Sequence, residues 1–329
     1  MARRQFHERP DFINTLTNAE LVDRYRLDRD GILYLHESLK DILDPATNRN
    51  NSVSSLHQIL ITLRYYATGG IQLNDADIHG ISQPTVSRCI SKVTDALCSP
   101  AFIRRHISFP VDQEEVRKVN AGFFGVAGFP HVIDVIDGTH IQIKAPVVEE
   151  ASYVNRMGYH SINTQVVFDD TDRITDVVAR WPGSTHDSRI LRESALSTIL
   201  EGGHVPGPHN YLLGDSGYPC KKWLLTPYLN PPAGSQTEYN KAHKRTRAKV
   251  ERAIGQFKRR WGILHGEVRL TPEKACRVIM ACAVLHNICR DRNIPFENGV
   301  PNLNNAPNNV YQGAQNGLQY RNIIAATYF

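Results

Sequence analysis

No apolar run in this chain approaches the roughly 18 residues that a membrane-crossing helix needs, so a membrane span is excluded. Behind the basic start, Met1-Ala2-Arg3-Arg4-Gln5, there is no apolar stretch either, and no secretory signal is expected there. The six cysteines (Cys89, Cys98, Cys220, Cys276, Cys282, Cys289) include no Cys-x-x-Cys pair, which points to neither a zinc knuckle nor a disulfide framework. Cys282 and Cys289 fall in an apolar helical pattern and read as reduced core thiols, as in an intracellular chain. What is present is ordinary globular material. With 41% hydrophobic residues in 329, the chain can bury one large core or two ordinary ones.

The net charge of +5 is modest, but it is unevenly placed. Residues 1–115 carry 13 Lys/Arg against 15 Asp/Glu, a net of −2, whereas residues 116–329 carry 25 against 18, a net of +7. The segment 241–260, KAHKRTRAKVERAIGQFKRR, holds nine Lys/Arg and one acid, Glu251. Such a concentration suits a phosphate-binding surface, and the alternative is a solvated basic helix.

Residues 1–115 read as a helical domain. Thr17-Asn18-Ala19-Glu20 fits a capping box, and Gly31–Leu43 and Ser54–Thr68 carry apolar residues at helical spacing. Within about 75–98, a short helix, a Gly80 turn and Pro84 at the start of a second helix match a helix-turn-helix. Val86, Ile90, Val93 and Leu97 would face inward, leaving Gln83, Arg88 and Lys92 among the groove-facing candidates for DNA. The net charge of this segment is −1, so a packing domain without DNA contact is the competing reading.

Near residue 130 the pattern changes to strands: 131–143, Ser161–Phe168 and Arg173–Trp181. A helix over Ser184–Leu200, a short strand Tyr211–Asp215 and helices over about 244–261 and 272–290 follow. Three strands, a helix, a strand and then helices give the order of a ribonuclease-H-like α/β domain, expected over residues 116–292. Residues 293–329 read as a polar, flexible tail.

The chemistry is expected where acids interrupt strands. Alternation places Asp137 on the apolar side of the first strand with Ile133, Val135 and Ile141, where a carboxylate is costly unless paired or bound to a cation. Asp134 falls on the other, more polar face with His140 and Gln142. Asp215 ends the next buried strand, and Glu251 follows with 35 residues between. Asp187 opens a helix, where the helix dipole explains it nearly as well as metal binding does. Each acid has a local structural alternative: a hairpin turn for Asp137, a turn for Asp215, an i,i+4 partner of Arg247 for Glu251. Jointly they point to metal.

Asp-Gly-Thr-His-Ile (137–141), Pro-Gly-Ser-Thr-His-Asp-Ser (182–188), Leu-Leu-Gly-Asp-Ser-Gly-Tyr (212–218) and Val-Glu-Arg-Ala-Ile-Gly-Gln-Phe-Lys-Arg-Arg-Trp (250–261) occur in that order. In these four motifs the chain closely resembles the PIF/Harbinger transposases, from the helix-turn-helix to Arg290. The resemblance implies a catalytic Asp137, Asp215, Glu251 triad, with Asp187 as a further acid at the metal. It also implies a Myb-like (SANT/trihelix) partner that supplies DNA specificity and nuclear entry. A nuclear location with a cytoplasmic pool is therefore expected, with self-association left open.

Hard carboxylate oxygens suit Mg²⁺ or Mn²⁺, so the expected activity is metal-dependent cleavage of DNA phosphodiesters, with strand transfer as a further step. Lys249, Arg252, Lys258, Arg259 and Arg260 are the candidates to hold the DNA backbone. The alternative is a domesticated adaptor that binds DNA or protein without turnover.

Overall fold

The computed structural model describes residues 9–45, 52–204, 207, 209–295 and 310–329. The basic N-terminal start and residues 296–309 of the expected tail lie outside the described residues. The chain packs as two units, and the division differs from the one expected near residue 115. One unit combines Met1–His106 with Gln142–Lys144 and Phe257–Glu297; the other comprises Ile107–Ile141, Ala145–Gln256 and Asn298–Phe329.

The first unit is helical. It contains α1 (Phe12–Thr15), α2 (Asn18–Tyr25), α3 (Arg29–Leu43), α4 (Ser55–Thr68), α5 (Gln72–His79), α6 (Gln83–Leu97) and α7 (Pro100–His106), joined by α13 (Gly262–His265) and α14 (Pro272–Asp291). Local chemistry sets its helix ends. Thr17 and Glu20 form the expected capping box, Asp28 and Ser54 cap α3 and α4, and Gly69 stops α4 in the left-handed region at φ 63°. Gly80 makes the same left-handed stop between α5 and α6, and Val86, Ile90, Val93 and Leu97 are buried as their spacing predicts. The helix α14 is apolar nearly all round and is accordingly a core helix, with Val278, Ile279, Cys282, Leu285 and Cys289 buried. Asp28 and Arg292 close this unit with two hydrogen bonds of 2.8 and 2.7 Å.

The second unit is the α/β domain and has a ribonuclease-H-like fold. Its strands are β1 (Val132–Gln142), β2 (Ser161–Phe168), β3 (Ile174–Pro182), β4 (Tyr211–Leu213) and β5 (Leu224–Leu225), in the spatial order β3-β2-β1-β4-β5. Strands β2 and β3 are antiparallel, while β1 with β4 and β4 with β5 are parallel. Its helices are α8 (Gln113–Ala127), α9 (Glu150–Tyr153), α10 (Asp187–Arg192), α11 (Ala195–Glu201), α15 (Leu318–Tyr328) and most of α12 (Ser235–Arg260). All eight residues of β2 are buried, as is the first half of β1, so both faces of the central sheet are covered.

Three elements differ from expectation. The helix expected over Ser184–Leu200 is two helices, because Ser194 leaves the first and caps the second by accepting from the Ser197 amide at 3.0 Å. The helix α12 starts about nine residues earlier than the basic run suggests. Its buried Tyr239, Ala242, His243, Thr246, Val250, Ala253 and Phe257 recur at three- and four-residue intervals and extend the stripe into a polar-looking stretch. Part of the expected flexible tail is α15, which buries Ile324 and Ala325.

Candidate active site

Parallel pairing of β1 with β4 creates the site. Val135 lies opposite Leu213, and β4 stops there rather than at Asp215 as expected. Asp137 in the middle of β1 and Asp215 two residues past the end of β4 come near enough for their charges to interact. Both carboxylates are buried, with 8% and 4% of their residues exposed. Asp137 Oδ1 accepts from the Gly138 amide at 3.0 Å, and Asp215 Oδ1 accepts from the Gly217 amide at 2.9 Å. The second oxygen of Asp215 is buried without a hydrogen-bond partner.

Asp187 is the first residue of α10, with His186 as N-cap. Its Oδ1 accepts from Asn163 Nδ2 at 2.9 Å, a donor that also reaches the Thr185 carbonyl at 2.8 Å. Gly138 explains how Asp187 comes so close to β1. A methyl group at position 138 would lie 2.4 Å from Asp187 Oδ1, closer than real contacts allow. Gly138→Ala is therefore expected to displace Asp187 while leaving Asp137 on its strand. The check is a Mn²⁺ titration of DNA nicking, in which the variant should need more metal for half-maximal rate. A superimposable curve would assign Asp187 to a structural role at the start of α10 alone.

Glu251 projects from α12 one turn after Arg247 and is half-buried. Arg247 Nη2 lies 2.7 Å from Asp137 Oδ2 and 3.6 Å from Glu251 Oε1, so a guanidinium sits among the acids. Burial, followed by the charge of Asp137, pushes the Asp215 carboxyl up to about 7, with Arg247 opposing. Burial likewise raises Asp187, against its bond from Asn163. Burial disfavours the Arg247 charge, but Asp137, Asp215 and Glu251 outweigh it and hold the group protonated. Sequence reasoning missed this arginine as a site residue. It also missed Tyr218, whose buried hydroxyl has no hydrogen-bond partner and feels the charges of Asp187, Asp137 and Asp215.

The donor chemistry fits a divalent cation: hard carboxylate oxygens converge, and one buried oxygen of Asp215 is unpaired. The spacing is not preset, however. Among the described residues, no three His, Cys, Asp or Glu side chains already stand where they could hold a metal ion. Asp134, which alternation places on the opposite face, is no polar surface residue. It is fully buried, accepts from Thr175 Oγ1 at 3.2 Å, and feels Asp169 rather than the triad.

The basic candidates separate. Arg252 is exposed on α12, in line with Lys241, Arg245 and Ala248 on the outer face, and Lys244 beside them is also exposed. Lys249 turns inward, donating to the Asp170 carbonyl and standing 5.7 Å from the Phe123 ring centroid. Lys258 and Arg259 are half-buried. Arg260 is 3% exposed and donates to the Ile294 carbonyl at 3.1 Å, so it is withdrawn from the DNA-binding set. On α6, Gln83, Arg88 and Lys92 are all exposed; they donate to Gln72, Thr85 and the Leu43 carbonyl, respectively.

Residues 136–287, which carry Asp137 within β1, Asp215 just past β4 and Glu251 on α12, match the DDE superfamily endonuclease family. The chain is 39% identical over 85% of its length to "Putative nuclease HARBI1" of Mus musculus, covering 80% of that protein. It is 35% identical over 88% of its length to the protein of the same name in Xenopus laevis, covering 84% of it. It is 30% identical over 74% of its length to "Protein ALP1-like" of Arabidopsis thaliana, covering 63% of it. No solved structure matches the chain. The chain belongs to the Harbinger transposase-derived nucleases, and it is an enzyme of the nuclease/transposase type.

Proposed function

We propose that this chain is a divalent-metal-dependent DNA endonuclease in which Asp137, Asp215 and Glu251 hold two Mg²⁺ or Mn²⁺ ions and Asp187 is an accessory ligand. The observation that carries the reading is the approach of Asp137 on β1 to Asp215 just past the parallel β4, near enough for the Asp137 charge to act on it, with the second oxygen of Asp215 buried and unpaired. When bound, such an ion pair supplies Lewis-acid stabilisation and an activated nucleophile for in-line displacement at a phosphodiester. The protein's own contribution is positioning. The middle of β1 fixes Asp137, the turn just past β4 fixes Asp215, α12 brings Glu251, and burial of the two aspartates excludes competing water. Strand transfer differs from hydrolysis only in using a 3′-hydroxyl in place of water, and the same residues serve both.

The test is incubation of the protein with supercoiled plasmid and Mn²⁺, with and without EDTA. Nicking that requires Mn²⁺ and stops with EDTA is the expected result. Nicking that persists in EDTA contradicts the metal reading, and no nicking under any metal condition favours an adaptor without turnover.

The backbone of the DNA is held by the exposed row on α12. Replacing Lys244, Arg245 and Arg252 together with Gln is expected to weaken binding of all sequences alike. It should flatten the dependence of log affinity on log salt by up to about three, roughly one unit per lost phosphate contact. An unchanged slope would mark this row as a merely solvated face.

Specificity is proposed to come from a Myb-like partner, together with Gln83, Arg88 and Lys92 on α6. The net charge of −2 over residues 1–115 supports that dependence, because phosphate attraction alone cannot retain this segment on DNA. On the same reading the enzyme works in the nucleus and draws on a cytoplasmic pool.

A further inference from the structure

We propose that Arg247 is a built-in counter-cation that binds Asp137 and Glu251 when no divalent ion is present and must leave Asp137 when one binds. It thereby sets the metal concentration at which the site assembles. The proposal rests on reading Asp137, Asp215 and Glu251 as metal ligands.

The basic run on α12 looks uniform in sequence, but its members face different surroundings. Lys244, Arg245 and Arg252 are exposed, Lys249 bonds a backbone carbonyl, and Arg260 is buried in the helical unit. Arg247 points among carboxylates. Its side chain is 16% exposed, its Nη2 bonds Asp137 Oδ2 at 2.7 Å, and it stands 3.6 Å from Glu251. This contact satisfies Asp137 at the cost of the rest of the cluster. The Arg247 Nε is buried without a partner, and so is Asp215 Oδ2.

One planar guanidinium carries a single charge and a fixed fork of donors, so it bridges two carboxylates but cannot close on a third. Mg²⁺ or Mn²⁺ carries twice the charge and gathers six oxygen ligands octahedrally, so several carboxylates can share it. Both need the outward oxygen of Asp137, and their like charges forbid sharing it at contact distance. Bonding to the guanidinium also accounts for carboxylates that converge without standing at ready coordination distance. Arg247 and Glu251 are one helical turn apart, so release of Asp137 leaves the helix and its glutamate in place.

A permanent orienting role for Arg247 makes the opposite prediction. Removing an outer partner of a metal ligand weakens metal binding by roughly 10–100-fold. Removing a competitor strengthens it.

The experiment is calorimetric titration of the full chain with Mn²⁺, without DNA, in the wild type, Arg247→Gln and Arg247→Lys, with melting curves in EDTA. The expected result is Mn²⁺ binding tighter by roughly tenfold or more in Arg247→Gln, from loss of a charge-assisted bond, with Arg247→Lys between. The EDTA melting temperature should fall in the same order, and saturating Mn²⁺ should restore it. Equal or weaker Mn²⁺ binding in Arg247→Gln overturns the proposal while leaving the metal site standing. If Arg247→Gln does not fold in EDTA, refolding on addition of Mn²⁺ supports the proposal and failure to refold overturns it. Absence of Mn²⁺ binding in wild type and variants alike overturns the metal reading, and the proposal with it.

Discussion

Asp137→Asn and Asp215→Asn each abolish Mn²⁺-dependent nicking of supercoiled plasmid, while circular dichroism shows an unchanged fold. Each substitution exchanges a charged oxygen for an amide of nearly equal size, so packing along β1 and β4 is retained. The loss should exceed the roughly 10–100-fold that follows removal of an outer-shell partner, because both residues are proposed to touch the ions directly. Both variants should also lose the rise in melting temperature that saturating Mn²⁺ gives the wild type, since a ligand stabilises only a fold that binds it. Glu251→Gln should behave in the same direction with a smaller effect, because Glu251 is more exposed and reaches the site from a helix rather than a strand end. Full nicking in any one of these variants would remove that residue from the mechanism.

In metal-free buffer, Asp215→Asn is expected to melt above the wild type at about pH 8 and close to it at about pH 4. Asp215 has a carboxyl pushed up to about 7, by burial first and then by Asp137. Unfolded, an aspartate titrates near 4. Between those values the folded protein keeps a proton that the unfolded chain has lost. This group's contribution to stability is thus fully present below about pH 4 and lost as pH rises through about 7. Asparagine stays neutral throughout, so the gap between variant and wild type should open over that window, to the order of a few kcal/mol. Comparing the two proteins at each pH cancels other groups, including His243, whose burial lowers it to about 3 and gives the opposite trend. Adding Mn²⁺ should close the gap from the wild-type side. A gap that is constant with pH would show that Asp215 is ionised in the metal-free fold. On the expected result, the variant is more stable at about pH 8 and inactive, the usual outcome where a site stores repulsion for its ligand.

The sheet was legible because its strands obey a local rule. Near-continuous apolar runs before Asp137 and Asp215 mark buried strands, of which β1 continues past Asp137 to Gln142 and β4 stops at Leu213, and β2 falls on the predicted residues. Asp137 and Asp215 stood out for a related reason: a carboxylate in or just after a buried run needs a cation or a partner. Asp187 and Glu251 lie on helices, where a dipole or an i,i+4 partner explains them as well. Arg247 was hidden by counting charge without asking which way each residue faces. The buried positions Thr246, Val250, Ala253 and Phe257 imply that the next inward position is Arg260, and it is indeed buried. The same stripe leaves Arg245 and Arg252 outward, so a closer reading of periodicity would have sorted these arginines. The role of Gly138 could not be read locally. Its need for a missing side chain arises from Asp187, 49 positions away in sequence and on another element. The docking of α15 is likewise a tertiary choice that overrides weak local propensity, whereas the break between α10 and α11 is a local one, set by the Ser194 cap.

The most direct test is an anomalous-scattering map from crystals of the full chain grown with Mn²⁺. The account predicts two peaks roughly 3.5–4 Å apart, with Asp137 between them and Asp215 and Glu251 each within coordination distance, about 2.1 Å, of one ion. Saturating Mn²⁺ with no peak at Asp137 or Asp215, and with Asp137 and Glu251 still closed on Arg247, would contradict it.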